Sequence, residues 1–171
     1  MSLHADLLDH AEELASPGFR GRPRRVTLRR AVSATYYAVF HLLARETAAL
    51  FARGPALASK VVRTVNHGEM REVSQRVAGG QRPKAFQVPG QTYPVSPDLK
   101  FVADTFILLQ ETRHDADYNL DRIFRRTDVV KFLTPARQAF AAWERVRNTD
   151  EARLYLAWFL APKSWEKPPR D

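Results

Sequence analysis

The stretch RRAVSATYYAVFHLLARETAALF, residues 29 to 51, decides the fold that the sequence predicts. Neither Gly nor Pro interrupts the chain from about Thr27 to Phe51, and apolar residues recur there at steps of three and four, which is the period of an α-helix. This stripe consists of Val32, Tyr36, Val39, Leu43, Thr47 and Leu50. We therefore predict a long central helix of about seven turns whose stripe faces a core.

Segments on both sides of this helix carry helical spacing and capping residues. The predicted helices begin behind Ser2, at Pro55, behind Asn66 with Glu69 three residues later, at Ser96-Pro97-Asp98, at Thr127-Asp128 with a kink or restart at Pro135, and at Thr149-Asp150. No strand pattern and no repeat is found. The sequence therefore predicts an all-α, up-and-down bundle in one domain, residues 1 to 161, followed by a flexible tail, residues 162 to 171.

The composition limits the class of protein. With no Cys there is no disulfide framework and no Cys-type zinc site. No apolar run approaches the roughly 18 residues of a membrane span, and the N-terminus MSLHADLLDH shows no signal pattern. We therefore expect a cytoplasmic protein without a membrane partner. Because no metal motif and no Gly-rich phosphate loop is present, we expect neither a metal nor a cofactor.

The charge favours a phosphate-bearing partner. The chain has 27 Lys and Arg against 19 Asp and Glu, a net charge of +8, and Arg suits phosphate because its donors form a flat fork. Six Arg fall between Arg20 and Arg30, a strip that is either a solvated connector or a phosphate-contacting arm. The long segment from Gly79 to Pro97 holds four Pro and three Gly and is interpreted as a lid, an insertion or a flexible segment.

Groups that can do chemistry are densest in RHDADYN, residues 113 to 119. Leu99, Val102, Phe106 and Leu109 form a helical stripe whose next positions are Arg113 and then Asp117. A guanidinium on a core-facing stripe needs a partner, and Asp117, one turn on, is the nearest. The candidate catalytic residues are Arg113, His114, Asp117 and Tyr118.

Two interpretations of this cluster follow from the residues. In the first, Arg113 holds a phosphate and a His or Tyr moves a proton. In the second, Arg113 and Asp117 form an ion pair that fixes helix packing, with Tyr118 closing over it. Further candidates are Tyr37 and His41, which lie off the core stripe near Arg30, and His67, which we expect to stay neutral because it starts a helix.

Three segments occur in this order: YYAVFH at residues 36 to 41, NHG at 66 to 68 and RHDADY at 113 to 118. Together they resemble the HEPN superfamily, in particular the small prokaryotic proteins with AYYAxFH and RxxADY motifs. The resemblance covers about residues 27 to 120 and implies a four- or five-helix bundle that usually forms a homodimer. Such proteins are often toxin-like or defence-associated and encoded beside a nucleotidyltransferase antitoxin.

The resemblance also implies a chemistry. Catalytic HEPN members are metal-independent ribonucleases that use an Arg followed, after four to six residues, by a His. Arg113 matches the Arg, whereas Tyr118 stands after four residues, so cleavage requires His41, His67 or His114 to reach Arg113. The resemblance thus implies an RNA- or nucleotide-associated protein with an altered catalytic motif. The alternatives are a non-catalytic module that pairs with a nucleotidyltransferase or another protein, and an RNA-binding protein that uses the strip from Arg20 to Arg30.

Overall fold

A computed structural model describes residues 2 to 16, 23 to 84 and 94 to 164. Within these ranges the chain forms seven helices and no strand, which confirms the all-α class. The helices are α1 (Leu3–Ala15), α2 (Arg25–Phe51), α3 (Pro55–Thr64), α4 (His67–Ala78), α5 (Pro97–Tyr118), α6 (Arg126–Val146) and α7 (Asp150–Trp158). Seven helices exceed the four or five that the family resemblance implies.

Parts of three predicted features lie outside the described residues. They are Arg20 and Arg22 of the basic strip, residues 85 to 93 of the segment from Gly79 to Pro97, and residues 165 to 171 of the predicted tail. Among the residues that are described, no helix combines the length and the apolar character that crossing a membrane requires.

Side-chain caps set several helix starts where the sequence predicts them, whereas Ser2 precedes α1 without a side-chain cap hydrogen bond. The side chain of Asn66 accepts hydrogen bonds from the backbone N–H groups of Gly68 and Glu69, at 2.7 and 3.4 Å, and so begins α4. Thr149 caps α7 in the same way. The start of α6 differs, because Asp128 accepts from the backbone N–H of Arg125 at 2.8 Å and the helix begins one residue before Thr127.

Pro135 lies inside α6, which continues from Arg126 to Val146 without a break. The predicted restart at Pro135 is therefore wrong. Proline removes one hydrogen bond of the helix ladder, but the apolar face of α6 continues across it. Leu133 and Ala136 on either side, and Ala139 and Trp143 beyond, are all buried. Packing of this face offsets the missing bond.

The chain divides into two compact units, each built from two stretches. Unit 1 comprises Met1–Leu42 and Thr105–Ala141. Its core includes Leu8 of α1, Val32 and Tyr36 of α2, Phe106 of α5 and Val129 of α6, and the rings of Tyr36 and Phe106 lie 5.7 Å apart. Arg137 of α6 binds Glu12 and Asp9 and so fastens α1 to α6. Unit 1 contains every candidate catalytic residue.

Unit 2 comprises Leu43–Asp104 and Ala142–Asp171. Its largest buried side chains include Trp143, Trp158 and Tyr155, and the Tyr155 hydroxyl lies 2.8 Å from the Ser74 hydroxyl of α4. Arg82 donates to the carbonyl of Pro94 at 2.8 Å, so the two described ends of the segment from Gly79 to Pro97 are joined. Glu151 of α7 accepts from the backbone N–H of Ser96 at 2.9 Å and lies 3.6 Å from Arg82. Helix α7 therefore contacts both described ends of this segment through Glu151.

Candidate functional site

Arg113 lies near the end of α5, and its side chain is 26% exposed. Its Nε atom lies 2.6 Å from Oδ2 of Asp117, at an angle that makes the contact an ion pair rather than an aligned hydrogen bond. Its Nη2 atom donates to the Tyr37 hydroxyl at 3.2 Å. The predicted pair of Arg113 and Asp117 is therefore formed, but at the edge of the core and within reach of solvent.

Two tyrosine rings flank the Arg113 guanidinium. Its Cζ atom lies 5.6 Å from the ring centroid of Tyr37 and 5.8 Å from that of Tyr118, within the range of cation–π attraction. Tyr37 is half-buried, whereas Tyr118 is 65% exposed. The ring of His114, also exposed, lies 4.9 Å from the Tyr118 ring. A cation, two phenols and an imidazole thus meet at one helix end.

One edge of α2 holds this helix end through residues spaced four apart. Tyr37 accepts from Arg113, as described, and Ser33, one turn earlier, donates from its hydroxyl to Oδ1 of Asp117 at 2.8 Å. Arg29, a further turn back, donates to backbone carbonyls between Ala116 and Arg122. Residues four apart share a helix face, so α2 presents a continuous polar edge to the end of α5. We call the side chains of Arg29, Ser33 and Tyr37 the α2 ladder.

Arg29 binds one carbonyl in the last turn of α5 and three carbonyls in the turn that follows the helix. A helix C-terminus has four carbonyl groups without a partner in the helix, and it attracts cations. Arg29 donates to four backbone carbonyls at and beyond this end, those of Ala116 (2.7 Å), Asn119 (2.8 Å), Leu120 (3.1 Å) and Arg122 (2.6 Å). This one guanidinium therefore fixes both the last turn of α5 and the turn that follows it.

The environment sets the protonation of several groups near the cluster. Burial lowers the pKa of Arg113, but the charge of Asp117 and the phenols of Tyr37 and Tyr118 raise it by more, so the pKa lies above its ordinary value and the guanidinium stays charged. Burial lowers the pKa of His41 below its usual 6.5, so His41 is neutral at pH 7.

The remaining candidate histidines occupy different places. His41 follows Tyr37 by one turn on α2, is half-buried, and its ring lies 6.2 Å from the Tyr37 ring. His114 contacts Tyr118, as described. His67 is the exposed first residue of α4 and belongs to unit 2. The structure thus brings His41 and His114 beside the two tyrosines that flank Arg113.

The α2 ladder contains two residues that sequence reasoning did not assign to the site, Arg29 and Ser33. Arg29 was part of the basic strip from Arg20 to Arg30, and nothing in its composition separates it from its neighbours. The sequence signal that could identify them is the spacing of residues 29, 33 and 37, which form a second, polar stripe on α2 beside the apolar one. Such a stripe indicates a polar contact only when the facing helix is known.

The cluster has the groups needed to bind a phosphate and a base. The Arg113 guanidinium is a permanent cation with planar donors, which suits a phosphate oxygen. The exposed ring of Tyr118 offers a face on which a base can stack. In the described part of the chain, no three His, Asp or Glu side chains lie close enough to hold a metal ion.

Comparisons of the chain with models of protein families, with curated proteins and with solved structures find no match. A function for this chain therefore has to be inferred from the Arg113 cluster and from the motifs of the sequence.

Proposed function

We propose that the chain is a HEPN-type protein that binds RNA at the Arg113 cluster, in a toxin-like or defence-associated role. The observation that carries the proposal is the Arg113 guanidinium, which is charged, partly exposed and within cation–π distance of the rings of both Tyr37 and Tyr118. A guanidinium that contacts a phosphate has to be reachable from solvent, and an aromatic ring beside it offers a face on which a base can stack. The motifs at residues 36 to 41, 66 to 68 and 113 to 118 support the same assignment.

Cleavage of the bound RNA would follow without a metal. The ribose 2′-hydroxyl attacks the adjacent phosphorus, the bond to the 5′-oxygen breaks, and Arg113 stabilises the charge on the phosphorane. His41 is neutral at pH 7 because burial lowers its pKa, which is the state needed to accept a proton. Tyr118 occupies the position of the catalytic His in the family motif, and its phenol carries a proton that can be given to the leaving oxygen.

The test is degradation of mixed RNA in the presence of a chelator by the wild type and by Arg113→Ala. We expect the wild type to cleave and the variant to lose cleavage. Arg63→Ala, at an exposed arginine of α3 in unit 2, is the matched control for loss of one positive charge. Equal activity of the wild type and Arg113→Ala in a folded state would overturn the assignment of the site.

A second function is favoured by a different observation. In the turn after α5, Leu120 is 80% exposed and Ile123 is 59% exposed. Arg29 fixes the backbone of this turn through the carbonyls of Leu120 and Arg122. Exposed apolar side chains on a backbone that is fixed by hydrogen bonds suit a protein partner. The chain would then be a non-catalytic module whose partner is a nucleotidyltransferase-type antitoxin or a second copy.

This second function predicts other results. Arg113→Ala would lower the melting temperature and leave the affinity for nucleic acid unchanged. A double change of Leu120 and Ile123 to Ser would abolish association with the partner, or reduce a dimer to a monomer in light scattering. A monomeric wild type at micromolar concentration would count against the homodimer.

A further inference from the structure

Arg29 and Arg30 are adjacent on α2 but lie in different surroundings. The Arg29 guanidinium donates to four backbone carbonyls, one in the last turn of α5 and three in the turn after it. Arg30 is exposed and forms no ion pair or side-chain hydrogen bond with any residue that the structure describes. Because neighbouring positions on a helix differ by about 100°, one arginine faces the protein and the other faces solvent. Among the described residues, none occupies the donors of Arg30, which leaves them available for a ligand.

The position of Arg30 places it beside the Arg113 cluster. Arg30 lies about 20° from Tyr37 and about 60° from Ser33 around the axis of α2, on the side of the α2 ladder away from Arg29. Ser33 binds Asp117 and Tyr37 binds Arg113, so Arg30 borders the contacts that these two residues make with the cluster. From Arg30 to Tyr37, the residue that binds Arg113, the helix rises about 10 Å.

A single strand fits this surface better than a duplex. The exposed Tyr118 ring stands next to the cation of Arg113 and offers a stacking face to an unpaired base, while a paired base has both faces covered. Two arginines on one surface with an aromatic ring beside one of them match the pattern by which proteins follow a single-stranded backbone.

We propose that Arg30 is a second phosphate contact for a single-stranded RNA whose first phosphate contact is Arg113. This proposal rests on the proposed function, because it takes RNA binding at Arg113 as given. It adds the path of the strand, which runs from Arg113 along α2 toward the N-terminal end of that helix.

The experiment measures binding of a labelled 2′-O-methyl oligouridylate of about 12 nucleotides by fluorescence anisotropy over a range of salt concentrations. The 2′-O-methyl group removes the attacking hydroxyl, so that binding is measured without cleavage. The variants are Arg30→Gln, Arg30→Lys and Arg113→Gln, with Arg63→Gln as the control for a lost surface charge. Circular dichroism of each variant confirms that it is folded.

Loss of one phosphate contact lowers the slope of log affinity against log salt by about 0.7, which is about five-fold in affinity at 0.1 M salt. We expect this loss for Arg30→Gln but not for Arg63→Gln, and we expect Arg30→Lys to keep the slope because a lysine also contacts phosphate. Uridine monophosphate, with one phosphate, should bind Arg30→Gln and the wild type equally.

The outcomes separate this inference from the proposed function. Weaker binding by Arg113→Gln, with Arg30→Gln equal to Arg63→Gln, would overturn the second contact and leave RNA binding at Arg113 in place. Unchanged binding by Arg113→Gln would overturn both. A loss of affinity for the monophosphate equal to that for the oligonucleotide in Arg30→Gln would also refute a separate second contact.

Discussion

Replacement of Arg29 by Gln should destabilise the protein strongly, while the same change at Arg30 should not. Arg29 is the only side chain among the described residues that binds the carbonyls of Ala116, Asn119, Leu120 and Arg122. Glutamine is too short and has too few donors to replace these contacts. The pair of variants removes the same charge from adjacent positions, so a difference between them reports the contacts and not the charge.

The size of the effect follows from the exposure of the four contacts. A hydrogen bond to a charged group contributes about 1.5 to 3 kcal/mol, and the contact to Ala116 is partly buried and should contribute in this range. The contacts to Asn119, Leu120 and Arg122 are exposed, so water can replace Arg29 there and each adds only about 0.2 to 0.4 kcal/mol. We expect Arg29→Gln to cost about 2 to 4 kcal/mol and Arg30→Gln less than about 0.5 kcal/mol.

The assay is urea unfolding followed by far-ultraviolet circular dichroism. With a slope of about 2 kcal/mol per molar urea, the midpoint of Arg29→Gln should fall by about 1 to 2 M relative to the wild type, with the slope unchanged. The urea midpoint of Arg29→Lys should lie between those of Arg29→Gln and the wild type, because an ammonium group reaches fewer of the carbonyls. If Arg29→Gln and Arg30→Gln unfold at the same urea concentration, Arg29 does not fasten the end of α5 and the reasoning is wrong.

Two further predictions concern pH and helix capping. Burial lowers the pKa of His41 in the folded state, so below about pH 6.5 the unfolded chain binds a proton that the folded chain does not, and stability falls as the pH decreases. His41→Gln should remove this part of the loss, seen as a flatter dependence of the urea midpoint between about pH 7 and pH 5; an unchanged dependence would contradict it. Asn66→Ala removes the acceptor for the backbone N–H groups of Gly68 and Glu69 and should cost about 1 kcal/mol, measured by thermal unfolding, whereas Asn66→Ser should retain most of the stability; equal losses in both would rule out the cap.

Features that depend on neighbours along the chain could be predicted from the sequence. The start of α4 behind Asn66 and the pair of Arg113 and Asp117 both involve residues within four positions of one another, and helical geometry alone places such residues together. The buried stripe of α2 was predicted equally well for most of its length. The prediction of burial is wrong at Leu50, which is 38% exposed, because burial at a helix end depends on what packs there.

The contacts made by α2 could not be predicted, because they join residues far apart in the sequence. Ser33 and Asp117 are separated by 84 positions, and Arg29 and Ala116 by 87. Whether Arg29 or Arg30 faces the protein depends on the rotation of α2 against α5, which composition does not encode. For the same reason the sequence predicted that Arg113 faces the core, whereas the structure places it at an edge.

The α2 ladder also bears on the choice between a structural and a functional Arg113. If α2 were rotated to bring the next residues into the same contacts, Arg30, Ala34 and Ala38 would replace the ladder, and neither Asp117 nor Arg113 would have a polar partner on α2. The α2 ladder therefore specifies one rotation of α2 against α5, a role that paired polar groups fill better than apolar ones. A fixed rotation in turn holds the Arg113 guanidinium at one orientation toward solvent, which is what a binding site requires of its supporting residues. The contacts that fix the packing thus also orient the group proposed to bind phosphate, and only variants that keep the fold, such as Arg113→Gln in the binding assay, can separate the two roles.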